Sequence, residues 1–451
     1  MQQFELSEEL VSQIEGLIKA DNKEDVSKLV EPLHPADIAE IMNELDTKEA
    51  QFLFLLLDEE KAGDVLAEIE EDERQRFIDS FPPEIIAKRF VDNMDTDDAA
   101  DLVGSMPNEQ QQEVLSHMED LEQAGDIVDL LHYDEDSAGG LMGKELVKVN
   151  ENWTVLTCLR ELSRQAENLD EMFYIYVVDD DNILKGRLSL KKMILSPTST
   201  KIQSIYNPDV TYVTTDEPAE SVGRIMQKYD LVAIPVVDSI GRLVGRITID
   251  DVVDVIREEA EKDYQMMSGI SQDVESSDTI WDQTKARLPW LIIGLFGGML
   301  AAYMISFYEA DIALFPATAM FIPVITAMGG NVGIQSSAIV VQGLANNSLK
   351  EGNILPQILK ESVVSLINAS IISLVVFIYN FFMLGDRGIT ASVSLSLFAV
   401  VMFASIFGTL VPMTLDKLKI DPALATGPFI TITNDIIGMM IYMFITSALA
   451  G

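Results

Sequence analysis

The sequence predicts a multidomain membrane protein in three parts: an all-α superhelical N-terminal domain, a tandem pair of α/β units, and an α-helical transmembrane bundle of five spans. Three observations predict it. A helix pattern recurs early in the chain at a spacing of 24 residues, a strand–turn–strand pattern occurs twice in the middle, and five long uncharged apolar stretches fill the C-terminal part.

Residues 1–132 read as short helices joined by acidic turns. Leu33-His34-Pro35-Ala36-Asp37-Ile38-Ala39-Glu40-Ile41 resembles Met94-Asp95-Thr96-Asp97-Asp98-Ala99-Ala100-Asp101-Leu102, and Leu57–Val65 and Met118–Ile127 are weaker copies. Leu33, Leu57 and Phe81 are 24 residues apart, as are Met94 and Met118. A period of this size suggests stacked helical hairpins. Their acids read first as a solvated face.

Two α/β units follow, over residues 133–200 and 201–256. Phe173-Tyr174-Ile175-Tyr176-Val177-Val178 is a continuous apolar run that reads as a buried strand. It is followed by the turn Asp180-Asp181-Asn182 and a second strand from Ile183 to Leu190. The design returns 59 residues later as Ala233–Val237, Ser239-Ile240-Gly241 and Arg242–Ile249. Helices are expected at Val155–Arg164 and Pro218–Lys228, and the two units should pair into one module. Residues 257–280 form a connecting segment. On the helical run before Ser268-Gly269, Asp251, Asp254 and Glu258 share a face at i, i+3 and i+7, where carboxylates repel unless cations or bases intervene; an exposed linker helix fits the same pattern.

The membrane part covers residues 281–451. Its uncharged stretches run Leu288–Tyr308, Ile312–Leu349, Ser362–Gly385, Gly388–Leu415 and Pro422–Gly451, and each holds one span of about 20 apolar residues. Lys285, Arg287, Lys350, Lys360, Lys417 and Lys419 lie on one side of this topology. The opposite loops carry Glu309, Asp311, Asp386 and the single base Arg387. The positive-inside rule therefore puts the N-terminus in the cytoplasm and the C-terminus outside. The start Met1-Gln2-Gln3-Phe4-Glu5 lacks the basic and apolar regions of a signal peptide, so the soluble half is expected to stay in the cytosol.

Charge divides the chain unevenly. Of a formal net charge of −42, the part from Trp281 onward carries only −2. A polyanionic soluble half argues against nucleic acid or anionic lipid as a partner and suits a surface that gathers cations. Cys158 is the only cysteine, so there is no intrachain disulfide and no thiolate metal site. The three histidines form no spaced ligand set, and no catalytic constellation appears.

Asp435 stands alone among the uncharged stretches, midway along the last one. A carboxylate at the centre of a membrane helix costs roughly 2.5–3.5 kcal/mol on insertion scales and turns away from lipid. Two readings follow: a cation site on a permeation path, or a buried acid hydrogen-bonded to neighbouring helices. Two other places depart from ordinary lipid-facing helix. Gly329-Gly330-Asn331-Val332-Gly333 either loosens the second span or allows a close helix contact, with Asn331 and Gln335 on one face. In Asp421-Pro422-Ala423-Leu424-Ala425-Thr426-Gly427-Pro428, Pro428 disfavours helix at Gly427, so freed carbonyls there would face a cavity.

Taken in order, Glu135-Asp136-Ser137-Ala138-Gly139-Gly140-Leu141-Met142, Gly329-Gly330-Asn331 and the Asp421–Pro428 run with Asp435 downstream resemble the MgtE family of magnesium channels and transporters. The resemblance covers essentially the whole chain: N domain, tandem CBS domains, connecting "plug" helix and five spans. It implies a homodimer in the lipid bilayer with its pore on the two-fold axis, where Asp435 selects the ion and Asn331 and Gly427 line the path. It implies that Mg²⁺ is both cargo and regulator. The regulatory positions are Asp97 and Asp101 in the N domain, Asp230 in the second CBS unit, Asp251, Asp254, Glu259 and Asp263 along the plug, and Asp421 at the inner membrane face. Lys262 departs from the acidic residue that relatives can carry there. Many CBS pairs bind adenine nucleotides; Thr248 and Asp251 match the ribose-contact pattern, whereas the first copy has Ser189 and Lys192, so ATP at the CBS domains stays open. Two rival readings remain: a coupled carrier that also accepts Co²⁺, against which stands the lack of soft ligands in the spans, and a membrane-anchored nucleotide sensor.

Overall fold

The computed structural model describes residues 6–69, 74, 77–78, 81–165, 172–271, 274, 279–345, 349, 354–383, 385–425 and 427–450. Thr426 and Lys350, both used in the sequence reading, lie outside the described residues, as does part of the segment 272–278. Two compact units, Met1–Ile256 and Arg257–Gly451, are described in turn.

In the first unit short helices run from Glu8–Lys19 to Leu121–Leu130. Much of their polar punctuation is capping. Ser7, Asn22, His34, Asp46, Asp58 and Asp120 each accept a backbone N–H from the first turn of the helix they open, and Asp46 and Glu49 form a full capping box. Several acids therefore satisfy orphan helix donors rather than merely solvate a face. The internal repeat has a structural counterpart: Pro35–Glu44 packs on Glu59–Ala67, and Thr96–Gly104 packs on Leu121–Leu130. Phe54, Phe77, Phe81 and Phe90 meet edge-on at the centre, with centroids 5.0–5.5 Å apart in the four T-shaped contacts.

The two α/β units are near-copies. β1 (Val147–Asn150) pairs in parallel with β2 (Ile175–Val178), which pairs antiparallel with β3 (Leu184–Leu188). β4 (Val213–Thr214), β5 (Ala233–Val237) and β6 (Leu243–Thr248) repeat that order, and both hairpins carry a register shift at the matching place. The turns match too: Asp179 and Asp238 each accept two backbone N–H groups, and Asn182 and Gly241 both take positive φ, 64° and 88°. The hairpins join at Ile183 and Arg242. The expected helices occur at Val155–Gln165 and Ala219–Tyr229. The core of the second copy is continuous with the helical domain through Ala138 and Met142, while the first copy keeps a core of its own around Val149, Val177 and Cys158.

The linker helix runs Ile249–Met267 and ends at Gly269, where φ is 81°. Among the described residues, five helices are long and apolar enough to cross a membrane: Ile280–Ser306, Pro316–Ala345, Ile354–Met383, Arg387–Lys417 and Gly427–Leu449. The fourth is the most buried, and the second, third and fifth pack around it. Two sequence expectations change here. The second span is an unbroken α-helix over Ile322–Ala345, so its glycines make contacts instead of loosening it. A Cβ on Gly408 would lie 2.4 Å from the Gly333 carbonyl oxygen, which is how spans two and four approach backbone to backbone. Gly427 is likewise the first residue of the fifth helix, not irregular backbone, and its carbonyl accepts from Thr431 Oγ1 at 2.9 Å. Proline fits at the second position because the N–H it lacks has no intrahelical partner there.

Candidate metal sites

In the first unit the acids converge at the start of the helix Thr96–Gly104. Carboxylate oxygens of Asp95, Asp97 and Glu145 lie within 4.8 Å of one another. Glu145 reaches this place from the segment leading into β1: its Oε1 accepts Thr96 N at 2.9 Å and its Oε2 accepts Thr96 Oγ1 at 3.0 Å. It thereby caps a helix whose own N-cap, Asp95, makes no side-chain cap bond. Gly143 makes room, since a Cβ there would sit 2.7 Å from Glu145 Oε2 and 2.9 Å from Asp97 Oδ2.

Crowding shows in the titration of these groups. Burial, then Asp251, Asp98, Glu145 and Asp95, push the Asp97 carboxyl well above the usual range. Burial, then Asp251, Asp101 and Asp95, push Asp98 up to about 7. Asp251 is raised by burial, against the hydrogen bonds that Thr248 donates. The bases at hand are Arg74, whose charge opposes the rise at Asp98, and Arg246, whose Nη2 is 3.9 Å from Asp95 Oδ2 and whose Nε and Nη1 are buried with no hydrogen-bond partner among the described residues. A cluster of hard oxygen donors held together against its own repulsion fits a divalent cation such as Mg²⁺.

The other regulatory candidates are placed less centrally. Asp101 is exposed on the same helix. Asp254 is exposed on the linker helix and is among the charges acting on Glu68, whose carboxyl is raised mainly by burial. Asp230 sits exposed at the left-handed C-cap of Ala219–Tyr229, with φ 50° and ψ 49°. Thr248 and Asp251 face each other: Asp251 Oδ2 accepts Thr248 N at 2.9 Å and Thr248 Oγ1 at 2.5 Å. That bond pair is a helix-start cap, so a ribose would have to compete with it. Sequence reasoning missed Asp95 and Glu145. Asp95 lay in view beside Asp97, but nothing local to Glu145 marks it, because its partner is 49 residues away.

In the second unit the linker helix ends against the fifth span. A Cβ on Gly427 would lie 2.2 Å from Met267 O, and one on Gly269 would lie 2.6 Å from Pro428 Cγ. Glu259 is 3.4 Å from Lys262 Nζ, so the base that departs from the acidic pattern meets an acid of its own helix. Asp263 is half-buried on the same helix. Asp421 is exposed and accepts Ala423 N at 2.8 Å, opening the short 3₁₀ turn Pro422–Ala425.

Asp435 lies half-buried on the fifth span beside Gly330: a Cβ on Gly330 would be 3.9 Å from Asp435 Oδ1. Among the described residues no side chain hydrogen-bonds to its carboxylate, in contrast to the reading as an acid satisfied by neighbouring helices. Asn331 and Gln335 are both exposed on the adjoining face of span two. Asn434, next to Asp435, is fully buried with neither amide atom partnered among the described residues, and packs so closely that a Cβ on Gly333 would fall 2.0 Å from its Nδ2. The structure thus brings Gly329-Gly330 and Asn434-Asp435 together from spans two and five.

Residues 33–136 match the MgtE intracellular N domain, residues 138–196 and 202–258 match CBS domains, and residues 322–445 match MgtE, described as a divalent cation transporter. The chain is 32% identical to the magnesium transporter MgtE of Bacillus subtilis over 441 residues, covering 98% of this chain and 97% of that protein. The chain belongs to the MgtE family. It is also 31% identical to the MgtE of Thermus thermophilus, covering 98% of this chain and 99% of the relative. Among solved structures it is similar to the soluble part of a magnesium transporter, with TM-score 0.50 and 32% identity over 56% of this chain and 99% of that one. It is similar as well to the cytosolic domain of the Mg²⁺ channel MgtE in complex with ATP, with TM-score 0.51 and 34% identity over 54% and 99%. The paired α/β units are CBS domains, the five apolar helices make this a multi-pass membrane protein, and its MgtE kinship is that of a transporter family.

Proposed function

We propose that this protein is a Mg²⁺-selective channel of the cell membrane that works in Mg²⁺ uptake and is closed by cytosolic Mg²⁺. The observation that carries the reading is the Asp435 carboxylate, held beside Gly330 at mid-span with no side-chain partner among the described residues. Mg²⁺ dehydrates reluctantly and is commonly held through its waters. In a homodimer with the pore on the two-fold axis, two Asp435 carboxylates, with Asn331 and the Gly427 end of the fifth helix, would face the hydrated ion. The exposed pair Asn331 and Gln335 supplies a polar face for that axis. Loop charges favour a cytoplasmic N-terminus.

Closure would use the acidic surfaces. Mg²⁺ held by Asp97, with Asp95 and Glu145, and by Asp101, Asp230, Asp251, Asp254, Glu259, Asp263 and Asp421 would relieve repulsion and favour the plugged state. A ligand shifts such an equilibrium only by its preference for one state. The linker helix, expected from the sequence to act as a plug over 257–280, ends at Met267, and its close approach to Gly427 gives that end a seat on the pore helix. ATP at Thr248 and Asp251 belongs to the same reading, supported by the relative whose cytosolic domain is described in complex with ATP. The deciding experiment is Mg²⁺ flux into liposomes by Asp435→Ala. Flux should be lost or become unselective; wild-type transport would remove Asp435 from the pore. Single-channel currents separate a channel from a coupled carrier.

A further inference from the structure

Asn434 immediately precedes Asp435 and is fully buried, yet neither its Oδ1 nor its Nδ2 has a hydrogen-bond partner among the described residues. Two other large buried polar groups of the bundle are served by neighbouring helices. Glu361 on span three accepts from Ser336 Oγ at 2.7 Å and from Ser405 Oγ, and Tyr442 Oη donates to the Thr318 carbonyl at 2.7 Å. On the helix of Asn434 itself, Thr431 donates its hydroxyl to the Gly427 carbonyl one turn back. A buried amide without partners is costly, so Asn434 is a poor choice if stability alone is at stake.

Shape, not hydrogen bonding, holds this amide. Ile430, Thr431, Asn434 and Asp435 recur at the spacing of one helix face and lie over the glycines of span two. A Cβ on Gly330 would be 3.4 Å from Thr431 Cγ2 and 3.9 Å from Asp435 Oδ1, both ordinary contacts. A Cβ on Gly333 would instead fall on Asn434 Nδ2 and sit 2.7 Å from Ile430 Cγ2, so the planar amide fills a slot that exists only above a glycine. Span four walls the slot. Val400 Cγ1 is 3.2 Å from the place of a Cβ on Gly329 and 3.1 Å from that of one on Gly438, a turn past Asn434, and Gly408 backs the Gly333 carbonyl. Consecutive residues of an α-helix point about 100° apart. With Asn434 seated in span two, the half-buried Asp435 is turned in one direction beside Gly330.

We propose that Asn434 is a positioning residue for Asp435. Its amide is a key in the Gly329–Gly333 slot that fixes the rotation and register of span five against span two. A buried polar group can specify one helix register at a cost in stability. Any turn of span five lifts the amide out of the slot and carries Asp435 with it, because both side chains hang from one rigid helix. The key rests on the packing; its effect on ion selection rests on the pore reading above.

The full-length protein in liposomes tests this. Asn434→Ala loses a contact but also a costly buried amide, so its melting temperature should stay close to that of wild type. Its preference for Mg²⁺ over Na⁺ in flux should fall about tenfold, the penalty of misplacing a positioned group by a fraction of an ångström. An ordinary core residue would show the reverse, a lower melting temperature with selectivity kept, and that result would overturn the proposal. Gly333→Ala puts a methyl where the amide lies, and its effect on selectivity and on melting temperature should be smaller in the Asn434→Ala background than in wild type. Strictly additive effects would overturn the key as well. The melting-temperature coupling needs no flux. Coupling found together with wild-type flux in Asp435→Ala would uphold the key and sink the pore reading; flux abolished by Asp435→Ala without coupling would sink the key and uphold the pore.

Discussion

The acids around Asp97 and the acid Asp435 face opposite problems. In the soluble unit, Asp95, Asp97, Asp98, Glu145 and Asp251 crowd together, and their repulsion shows as carboxyls pushed upward. In the membrane unit one carboxylate stands apart, and its cost is that of leaving water. In the function proposed above, the first arrangement acts as a spring that a cation sets and the second as a fixed charge that selects what passes. The physical difference is that mutual repulsion can be relieved by binding, whereas a solitary charge in a low-dielectric wall attracts counter-ions steadily.

The comparison can be broken most severely at Asp435. Asp435→Asn keeps the shape and removes the charge. Loss of charge-assisted contacts worth about 1.5–3 kcal/mol predicts a fall in Mg²⁺ flux on the order of 10- to 100-fold. Unchanged flux would make the isolated acid structural. Next in size is Gly427→Ala, whose methyl would collide with Met267 O. Overpacking of this kind costs about 1–3 kcal/mol. The linker-helix seat should open, with flux less inhibited by cytosolic Mg²⁺ than in wild type; equal inhibition would show that the seat does not gate.

On the crowded side, Asp97→Asn should act in two directions at once. Removing a repelling charge tightens the soluble unit without metal, so protease protection in Mg²⁺-free buffer rises. Removing a ligand raises the Mg²⁺ concentration for half-maximal protection several-fold, for a charged interaction of about 1.5–3 kcal/mol partly offset by relieved repulsion. A change in only one of these would separate spring from site. The gentlest probe is pH. The folded unit holds protons on Asp97, Asp98 and Asp251 more tightly than an unfolded chain does, so their contribution is full below the ordinary carboxylate range. It is lost as pH rises from about 4 towards the value near 7 at Asp98. Without metal, resistance to proteolysis should therefore be greater at pH 5 than at pH 8, and Mg²⁺ should restore it at pH 8. The reverse slope would mean that bases such as Arg246, not crowding, govern the cluster.

Much of this was legible along the chain because the signals are local. Apolar run length marks five spans, continuous apolar strand runs and turn residues mark two CBS copies, and a midspan Asp435 is conspicuous by its cost. Gly329-Gly330-Asn331 was equally visible, but sequence left it between a loosened helix and a tight contact. The uninterrupted Ile322–Ala345 and the Gly333–Gly408 approach decide for the contact, since backbone hydrogen bonding along a helix tolerates glycine when a neighbouring helix fills the space. Glu361 was hidden for a different reason. It borders an uncharged stretch, beside Lys360, and only the packing of three helices brings it to Ser336 and Ser405.

The sequence by itself determined the order of the parts, the membrane spans, and the acids available to each. Local propensity and hydrophobic patterning act over a few residues, so a linear chain displays them. Only the tertiary structure decided which acids meet. Glu145 reaches Thr96 across 49 residues, and the Glu361 carboxyl closes on serines 25 and 44 residues away. Electrostatic and hydrogen-bond energies depend on separation in space, and that separation is set only when the helices have packed.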